Sequence, residues 1–296
     1  MLGVGNGPAG VILRPASPLH AALHALAREA RLVFFAGLPG TGKSLLIHQL
    51  AHLAHAGGRS VVLLQWDAAR PVFEASAPGR RYPLVDGVTH GVIRLAAGRW
   101  ARDAVSHWHE QHPDARHFLI AETPFVGHRF IELARPAADA VESILTGESS
   151  RFVIPVPSRP VRRYLEVERE RRTRRPQHER EREDAPPDLL RALWQQLAAI
   201  GRELGVDGAA SRTDGDYDPE VYAQVYLHLL RHRRAQVLSM DEILPTTGFS
   251  PYAFTVPYDD LRPRDDEIRR HIETVEAAYP DPVVLEREIN RWYESP

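Results

Sequence analysis

The chain has 296 residues, of which 43% are apolar, enough to build a sizeable core in one elaborated domain. Its 37 basic and 39 acidic residues leave a formal net charge of −2, so no whole-molecule field attracts nucleic acid or a membrane surface. The sequence contains no cysteine, which excludes disulfides, thiolate metal sites and cysteine nucleophiles.

The N-terminal stretch, residues 1–18, has one short apolar patch and no basic start, so it does not resemble a signal peptide. No apolar run approaches the roughly 20 residues that span a bilayer. We therefore expect a cytoplasmic protein that makes no membrane contact.

Strand-like and helical segments alternate along the chain. Short apolar runs typical of buried strands occupy residues 32–36, 61–64, 117–121, 151–156 and 236–240. Helical patterns mark residues 18–30, 45–56, 98–111, 159–175, 187–204, 219–234, 265–278 and 282–293. This alternation predicts an α/β fold with a mostly parallel sheet and helices on both faces.

A glycine-rich segment separates the first predicted strand from the helix after it. Its eight residues fit G-x-x-x-x-G-K-[ST] at every defined position and are Gly37, Leu38, Pro39, Gly40, Thr41, Gly42, Lys43 and Ser44. Glycine lets backbone N–H groups approach phosphate oxygens, and the start of a helix favours anions. Lys43 can reach the β- and γ-phosphates, and the Ser44 hydroxyl can ligate Mg²⁺. With Leu45, these residues form the predicted site for ATP and Mg²⁺, in a sheet of the P-loop NTPase type.

Asp67 and Arg70 follow the second predicted strand. Ligands of open α/β sheets bind outside the carboxyl ends of the strands, so both residues fall where an acceptor would meet the γ-phosphate. A carboxylate there can take the proton of an acceptor hydroxyl, and an arginine can hold an anionic group on the acceptor. The alternative interpretation is a helix-capping aspartate with an arginine in the first turn.

Glu122 ends the third predicted strand, where a carboxylate commonly holds Mg²⁺ or orients an attacking group. We predict it as a metal ligand beside Ser44, with a strand-end cap as the structural alternative. The segment Met240-Asp241-Glu242 also ends an apolar strand in an acidic pair, so Asp241 competes with Glu122 for this role.

Residues 159–184 form a charged segment in which arginines and acids are interleaved, a pattern typical of a solvated helix laced with ion pairs. Four arginines just before Pro176 have no acid among them; they are Arg171, Arg172, Arg174 and Arg175. Mobile arginines that close over phosphates neutralise the charge that develops in phosphoryl transfer. We predict that one or two of the four act this way, with Arg171 and Arg174 as the candidates.

The series GLPGTGKS, helix, strand and then Asp67-x-x-Arg70 resembles the P-loop small-molecule kinases of the zeta-toxin-like and adenylylsulfate-kinase-like kind, which have an AAA-type ATP-binding domain. The similarity is strong over about residues 31–70 and weaker to about residue 175. It implies that Asp67 acts on the acceptor hydroxyl and that the strand at 153–157 leads into an arginine-rich lid. Departures are Leu45 after Ser44, a glutamate at position 122, and residues 71–98, which do not fit the pattern and lie where the acceptor would bind.

These observations predict three regions. They are an N-terminal segment and helix (1–30), a P-loop kinase-like domain (31–244) with its lid at about 158–184, and a C-terminal loop and helical extension (245–296). Residues 245–249 would form either an adenine-side loop or structural packing. The predicted activity transfers the γ-phosphoryl group of ATP to a hydroxyl of a small molecule, a nucleotide or a nucleic-acid end.

Two other functions remain open at this point. An ATPase or nucleotide-dependent switch would use the C-terminal part as an effector surface, although the chain has no obvious motif that positions water. Binding of RNA or DNA through residues 162–182 is disfavoured by the interleaved acids and the neutral chain. Nucleic acid is thus expected only as a substrate end.

Overall fold

The computed structural model describes residues 10–179, 181, 186–206, 215–244, 250 and 256–294. Its strands are β1 (Leu32–Ala36), β2 (Ser60–Gln65), β3 (His117–Thr123), β4 (Ser150–Pro157), β5 (Ala235–Met240) and β6 (Tyr258–Asp260). Within the described residues they form a single sheet in the order β5-β4-β1-β3-β2-β6, with every neighbouring pair parallel. The predicted α/β fold with a parallel sheet is therefore confirmed.

Helices cover both faces of this sheet. They are α1 (Pro18–Glu29), α2 (Lys43–Ala56), α3 (Trp66–Ala75), α4 (Gly91–Gln111), α5 (Ala140–Thr146), α6 (Arg159–Arg174), α7 (Pro187–Glu203), α8 (Pro219–Leu229), α9 (Asp265–Ala278) and α10 (Pro282–Asn290). Side chains of β1 alternate between two cores: Phe34 joins the one built with α4, α8 and α9, and Phe35 joins the one built with α1 and α2. All five residues of β1 are buried, as expected for a central parallel strand.

The structure differs from the predicted elements in several places, including β6, which was not predicted, and α8, which ends at Leu229, earlier than the predicted residue 234. Helix α4 begins at Gly91, seven residues earlier than predicted, and the His90 side chain caps it by accepting from the N–H of Val92. Helix α3 was named only in the alternative interpretation of Asp67 and Arg70. Its N-cap is Gln65 instead of Asp67, and it contains Pro71, a residue normally disfavoured in a helix interior. Helix α5 is short, and its N-cap Asp139 is its main sequence signal.

The C-terminal part of the chain belongs to the sheet as well as to its helical cover. Strand β6 pairs with β2 in parallel, and α9 packs against α4. Residues 245–249, predicted as an adenine-side loop or structural packing, lie outside the described residues, as does the end of the predicted lid at 182–184.

Across the described ranges, none of the helices is both long and apolar enough to cross a membrane.

Candidate active site

The glycine-rich loop, residues 37–42, connects β1 to α2 at the carboxyl end of the central strand. Gly40 and Gly42 have φ of 75° and 83°, values that favour glycine. A Cβ at Gly40 would lie 2.8 Å from Leu190 Cδ1 and one at Gly42 would lie 3.0 Å from Met240 Cε, so each would require a shift of the end of a flexible side chain. Glycine therefore lets the loop take this conformation without strain at both positions.

The start of α2 leaves backbone donors free. In the described part of the chain, the N–H groups of Gly42, Lys43 and Ser44 have no hydrogen-bond acceptor. The first N–H groups of any helix lack internal partners, and together with the helix dipole they attract an anion. The local backbone is thus suited to bind phosphate oxygens.

The loop is held from below by buried side chains. The N–H of Leu38 donates to the Tyr222 hydroxyl oxygen at 3.1 Å, and the Thr41 hydroxyl donates to the Leu38 carbonyl at 2.9 Å. Arg162, which is almost fully buried, donates to the Gly40 carbonyl at 3.4 Å. The Thr41 bond lies within the loop, whereas Tyr222 and Arg162 belong to α8 and α6, so the loop is fixed to elements far along the chain.

Lys43 and Glu122 form a buried pair beside the loop. The Lys43 ammonium donates to the Leu38 carbonyl at 2.9 Å and lies 3.4 Å from a Glu122 carboxylate oxygen. Burial lowers the pKa of Lys43 and raises that of Glu122, and each charge opposes the shift of the other. Glu122 reaches this place because β3 neighbours β1, with Glu122 opposite Phe35 in the register.

A cavity of about 420 Å³ opens above the loop. It brings together most of the predicted site residues and several that were not predicted. Its polar and charged lining residues are Lys43, Ser44, Asp67, Arg70, Thr89, Glu122, Arg129, Glu168, Arg169 and Arg172. Leu45, Pro39, Gly40 and Gly42 also line it, whereas Asp241 follows β5, two strands away from β1, and does not.

Helix α3 supplies Asp67 and Arg70 directly after β2. Asp67 lies in the first turn of α3 and is exposed to the cavity. Arg70 lies 3.6 Å from Glu74, which in turn accepts a hydrogen bond from the Thr89 hydroxyl at 2.8 Å. Residues 87–89, from the segment that sequence reasoning could not place, therefore form one wall of the same cavity.

The arginines that α6 turns toward the cavity are not those expected. Arg169 and Arg172 line it together with Leu165 and Glu168, a set spaced along one helical face. Arg171 instead pairs with Glu168 at 2.8 Å, Arg174 pairs with Glu170 at 2.5 Å, and neither lines the cavity. Arg172 belongs to the predicted cluster, but Arg169 was missed because it lies among acids. The sequence does contain one signal for Arg169: it lies four residues after the apolar Leu165, and this spacing places both on one face of the helix.

Arg129 is a further cavity residue that the sequence did not reveal. It belongs to a turn after β3, residues 124–130, which we call the post-β3 turn. Phe125, His128 and Phe130 have φ between 61° and 63° in this turn, a left-handed conformation that is uncommon for residues other than glycine. Only Gly127 hints at it in the sequence, with φ of 69°.

Within the described residues, no group of three or more His, Asp or Glu side chains is arranged to hold a metal ion on its own. A Mg²⁺ ion bound with a nucleotide needs few protein ligands, because phosphates and water supply the others. The Ser44 hydroxyl and the Glu122 carboxylate, both lining the cavity, offer the hard oxygen donors that Mg²⁺ prefers.

Comparison of the chain with protein-family models, with curated proteins and with solved structures gave no match.

Proposed function

We propose that this protein is a Mg²⁺-dependent phosphotransferase that moves the γ-phosphoryl group of ATP to a hydroxyl of a second substrate. The observation that carries the proposal is the cavity over the glycine-rich loop. It combines free helix-start N–H groups, a buried lysine, an exposed aspartate and arginines from two further elements. Phosphoryl transfer depends on positioning and electrostatic stabilisation more than on covalent chemistry, and this lining supplies both.

The triphosphate is assigned to the loop and the start of α2. The N–H groups of Gly42, Lys43 and Ser44 would donate to phosphate oxygens, and Lys43 would exchange its Glu122 contact for the β- and γ-phosphates. Burial lowers the pKa of Lys43, so an additional negative charge close to it stabilises its charged form.

Mg²⁺ would be held by Ser44 and Glu122 together with phosphate oxygens. The ion would neutralise charge on the phosphates during transfer. Glu122 pairs with Lys43 and lines the same cavity as Ser44, which supports this assignment.

Asp67 is assigned to the acceptor side. Its exposed carboxylate lies at the carboxyl end of β2, where it can orient a hydroxyl and take its proton. Arg169 and Arg172, on the cavity face of α6, would stabilise negative charge on the transferring group and keep water out.

The test is incubation of the purified protein with Mg²⁺ and γ-labelled ATP, with and without an extract of small metabolites and nucleotides. We expect label in a new small molecule, with transfer abolished in Lys43→Ala and in Asp67→Asn. Nucleotide affinity should fall strongly only in Lys43→Ala. The matched control is Asp266→Asn, which changes an exposed carboxylate at the start of α9, outside the cavity lining.

Two outcomes would contradict the proposal. Transfer retained in Asp67→Asn would remove the assigned role of that carboxylate. If label were released only as inorganic phosphate, the protein would instead be an ATPase or nucleotide-dependent switch. In that case Lys43→Ala would abolish the release and Asp67→Asn would leave its rate unchanged.

A further inference from the structure

Two arginines approach Asp67 from different elements. Arg70 lies one turn further along α3, and Arg129 comes from the post-β3 turn; all three residues line the cavity. The roles proposed above use Lys43, Arg169 and Arg172 for the nucleotide phosphates. Arg70 was predicted from the sequence to hold an anionic group on the acceptor, whereas the charge of Arg129 on the Asp67 side has no role so far.

The post-β3 turn holds Arg129 in place at a conformational cost. Phe125 and Arg129 exchange two backbone hydrogen bonds, of 2.9 and 3.1 Å, which close the turn. Phe125, His128 and Phe130 are held at positive φ, a backbone conformation that is strained for residues other than glycine. Such a conformation persists only where its surroundings impose it, and it is concentrated at functional sites.

The surroundings of the turn do impose it. Tyr226 donates to the Pro124 carbonyl at 3.1 Å, and Arg94 donates to the Gly127 carbonyl at 2.9 Å. The fully buried His128 ring lies 2.8 Å from a Glu132 carboxylate oxygen. Helices α4 and α8 and Glu132, just after the turn, thus supply separate supports, so the backbone that carries Arg129 is held before any ligand binds.

The Arg129 guanidinium is half-buried in the cavity wall and, among the described residues, has no close anionic partner. No carboxylate of the described residues lies within 4.0 Å of it, although Arg70 has Glu74. Burial lowers the pKa of Arg129, Asp67 opposes this shift, and the positive charge of Arg70 adds to it. A bound anion would remove this unfavourable arrangement, because a guanidinium forms its strongest hydrogen bonds with oxyanions.

We propose that the acceptor carries an oxyanion, a phosphate or a carboxylate, and that Arg129 and Arg70 bind it. Arg129 is then a specificity-determining residue, which directs the acceptor hydroxyl toward Asp67 and disfavours neutral alcohols. This inference rests on the proposed function, since it divides the cavity into a triphosphate side and an acceptor side.

The probes are inorganic phosphate and acetate, titrated by calorimetry into the full chain saturated with Mg²⁺ and β,γ-imido-ATP. The analogue fills the triphosphate side, so phosphate can bind only elsewhere. We expect at least one of the two anions to bind, with affinity about 10- to 100-fold lower in Arg129→Gln and partly restored in Arg129→Lys. Phosphate binding without acetate binding would specify a phosphorylated acceptor, and the reverse a carboxylic acid.

The control is Arg116→Gln, an exposed arginine next to the amino end of β3, which should leave anion binding unchanged. Arg70→Gln is a second test variant, in which anion affinity should also fall, in case Arg129→Gln does not fold. Absence of anion binding, or equal binding in the wild type, Arg129→Gln and Arg70→Gln, would overturn the inference. Failure of the analogue itself to bind would instead overturn the proposed function, so the two failures are distinguishable.

Discussion

Tyr222 and Leu38 are 184 positions apart in the sequence, yet the Tyr222 hydroxyl accepts a 3.1 Å hydrogen bond from the Leu38 backbone N–H. Both residues are buried, so neither group has water as an alternative partner. Helix α8 therefore fixes the backbone of the glycine-rich loop directly, and the conformation of the loop depends on the correct docking of that helix.

The first prediction concerns removal of this hydroxyl. Tyr222→Phe leaves the Leu38 N–H buried without an acceptor, which should lower the free energy of unfolding by about 1–3 kcal/mol. Nucleotide affinity should also fall, because the loop backbone loses its support. Tyr226→Phe is the matched control, since it loses a buried hydrogen bond to the Pro124 carbonyl and should reduce stability while leaving nucleotide affinity intact. Denaturant unfolding and nucleotide titration measure the two effects; equal nucleotide affinity in wild type and Tyr222→Phe would contradict the prediction.

The second prediction is a coupling between Gly37 and Tyr222. A Cβ at Gly37 would overlap the Tyr222 hydroxyl oxygen but would lie 3.7 Å from the ring carbon Cζ that carries it. Gly37→Ala should therefore destabilise the wild type by about 1–3 kcal/mol through overpacking, and clearly less in the Tyr222→Phe background. A double-mutant cycle from unfolding curves gives the coupling energy. If the losses in unfolding free energy from Gly37→Ala and Tyr222→Phe were additive, the Tyr222 hydroxyl would not be what prevents a larger side chain at position 37.

The third prediction separates the arginines of α6. Arg172→Gln should reduce the turnover of the proposed transfer by about 10- to 1,000-fold, because Arg172 lines the cavity and would stabilise charge on the transferring group. Arg163→Gln, an exposed change on the same helix, serves as the control for effects on helix stability. Steady-state kinetics decide between the assignments: a comparable loss in Arg171→Gln or Arg174→Gln, with Arg172→Gln unaffected, would favour the residues predicted from the sequence.

The fourth prediction is a loss of stability in acid that depends on His48. Burial, reinforced by neighbouring His52, lowers the pKa of His48 from 6.5 to about 4. The unfolded chain therefore binds the proton first, and stability falls as the pH drops from about 6.5 toward 4. Between pH 7 and pH 4.5 the His48 contribution should amount to about 2–3 kcal/mol. Urea unfolding of wild type and His48→Gln at both pH values measures it, and an unchanged pH dependence in the variant would contradict the assignment.

Much of the fold could be predicted because its central elements have strong local signals. Strand β1 is a continuous apolar run, and α9 was predicted with its observed bounds, Asp265–Ala278. Strand β6 could not be predicted, since its sequence is Tyr-Asp-Asp and only pairing with β2 makes it a strand. Local sequence also disfavours α3, whose Pro71 is tolerated in a tertiary context that single-sequence patterns do not contain.

The candidate site was predictable where chain order determines position. Asp67, Arg70 and Glu122 directly follow or end strands, so the parallel topology brings them to one edge. The arginines of α6 depend on how that helix is rotated, which charge composition does not determine. Arg129 depends on the unusual backbone of the post-β3 turn, for which its sequence offers one glycine as a signal.

The position of β6 has a consequence for the order in which the chain acquires structure. Its three residues pair with Val61, Val62 and Leu63, about 200 positions earlier. During synthesis the outer edge of β2 therefore stays unpaired until most of the chain has been made. The backbone N–H and C=O groups of β2 on that edge are available to other strands during this time. The remaining sheet order, β5-β4-β1-β3-β2, closes over shorter separations, so the late step is the docking of β6. Chains truncated before Tyr258 would keep an unpaired edge on β2, and unpaired strand edges promote aggregation.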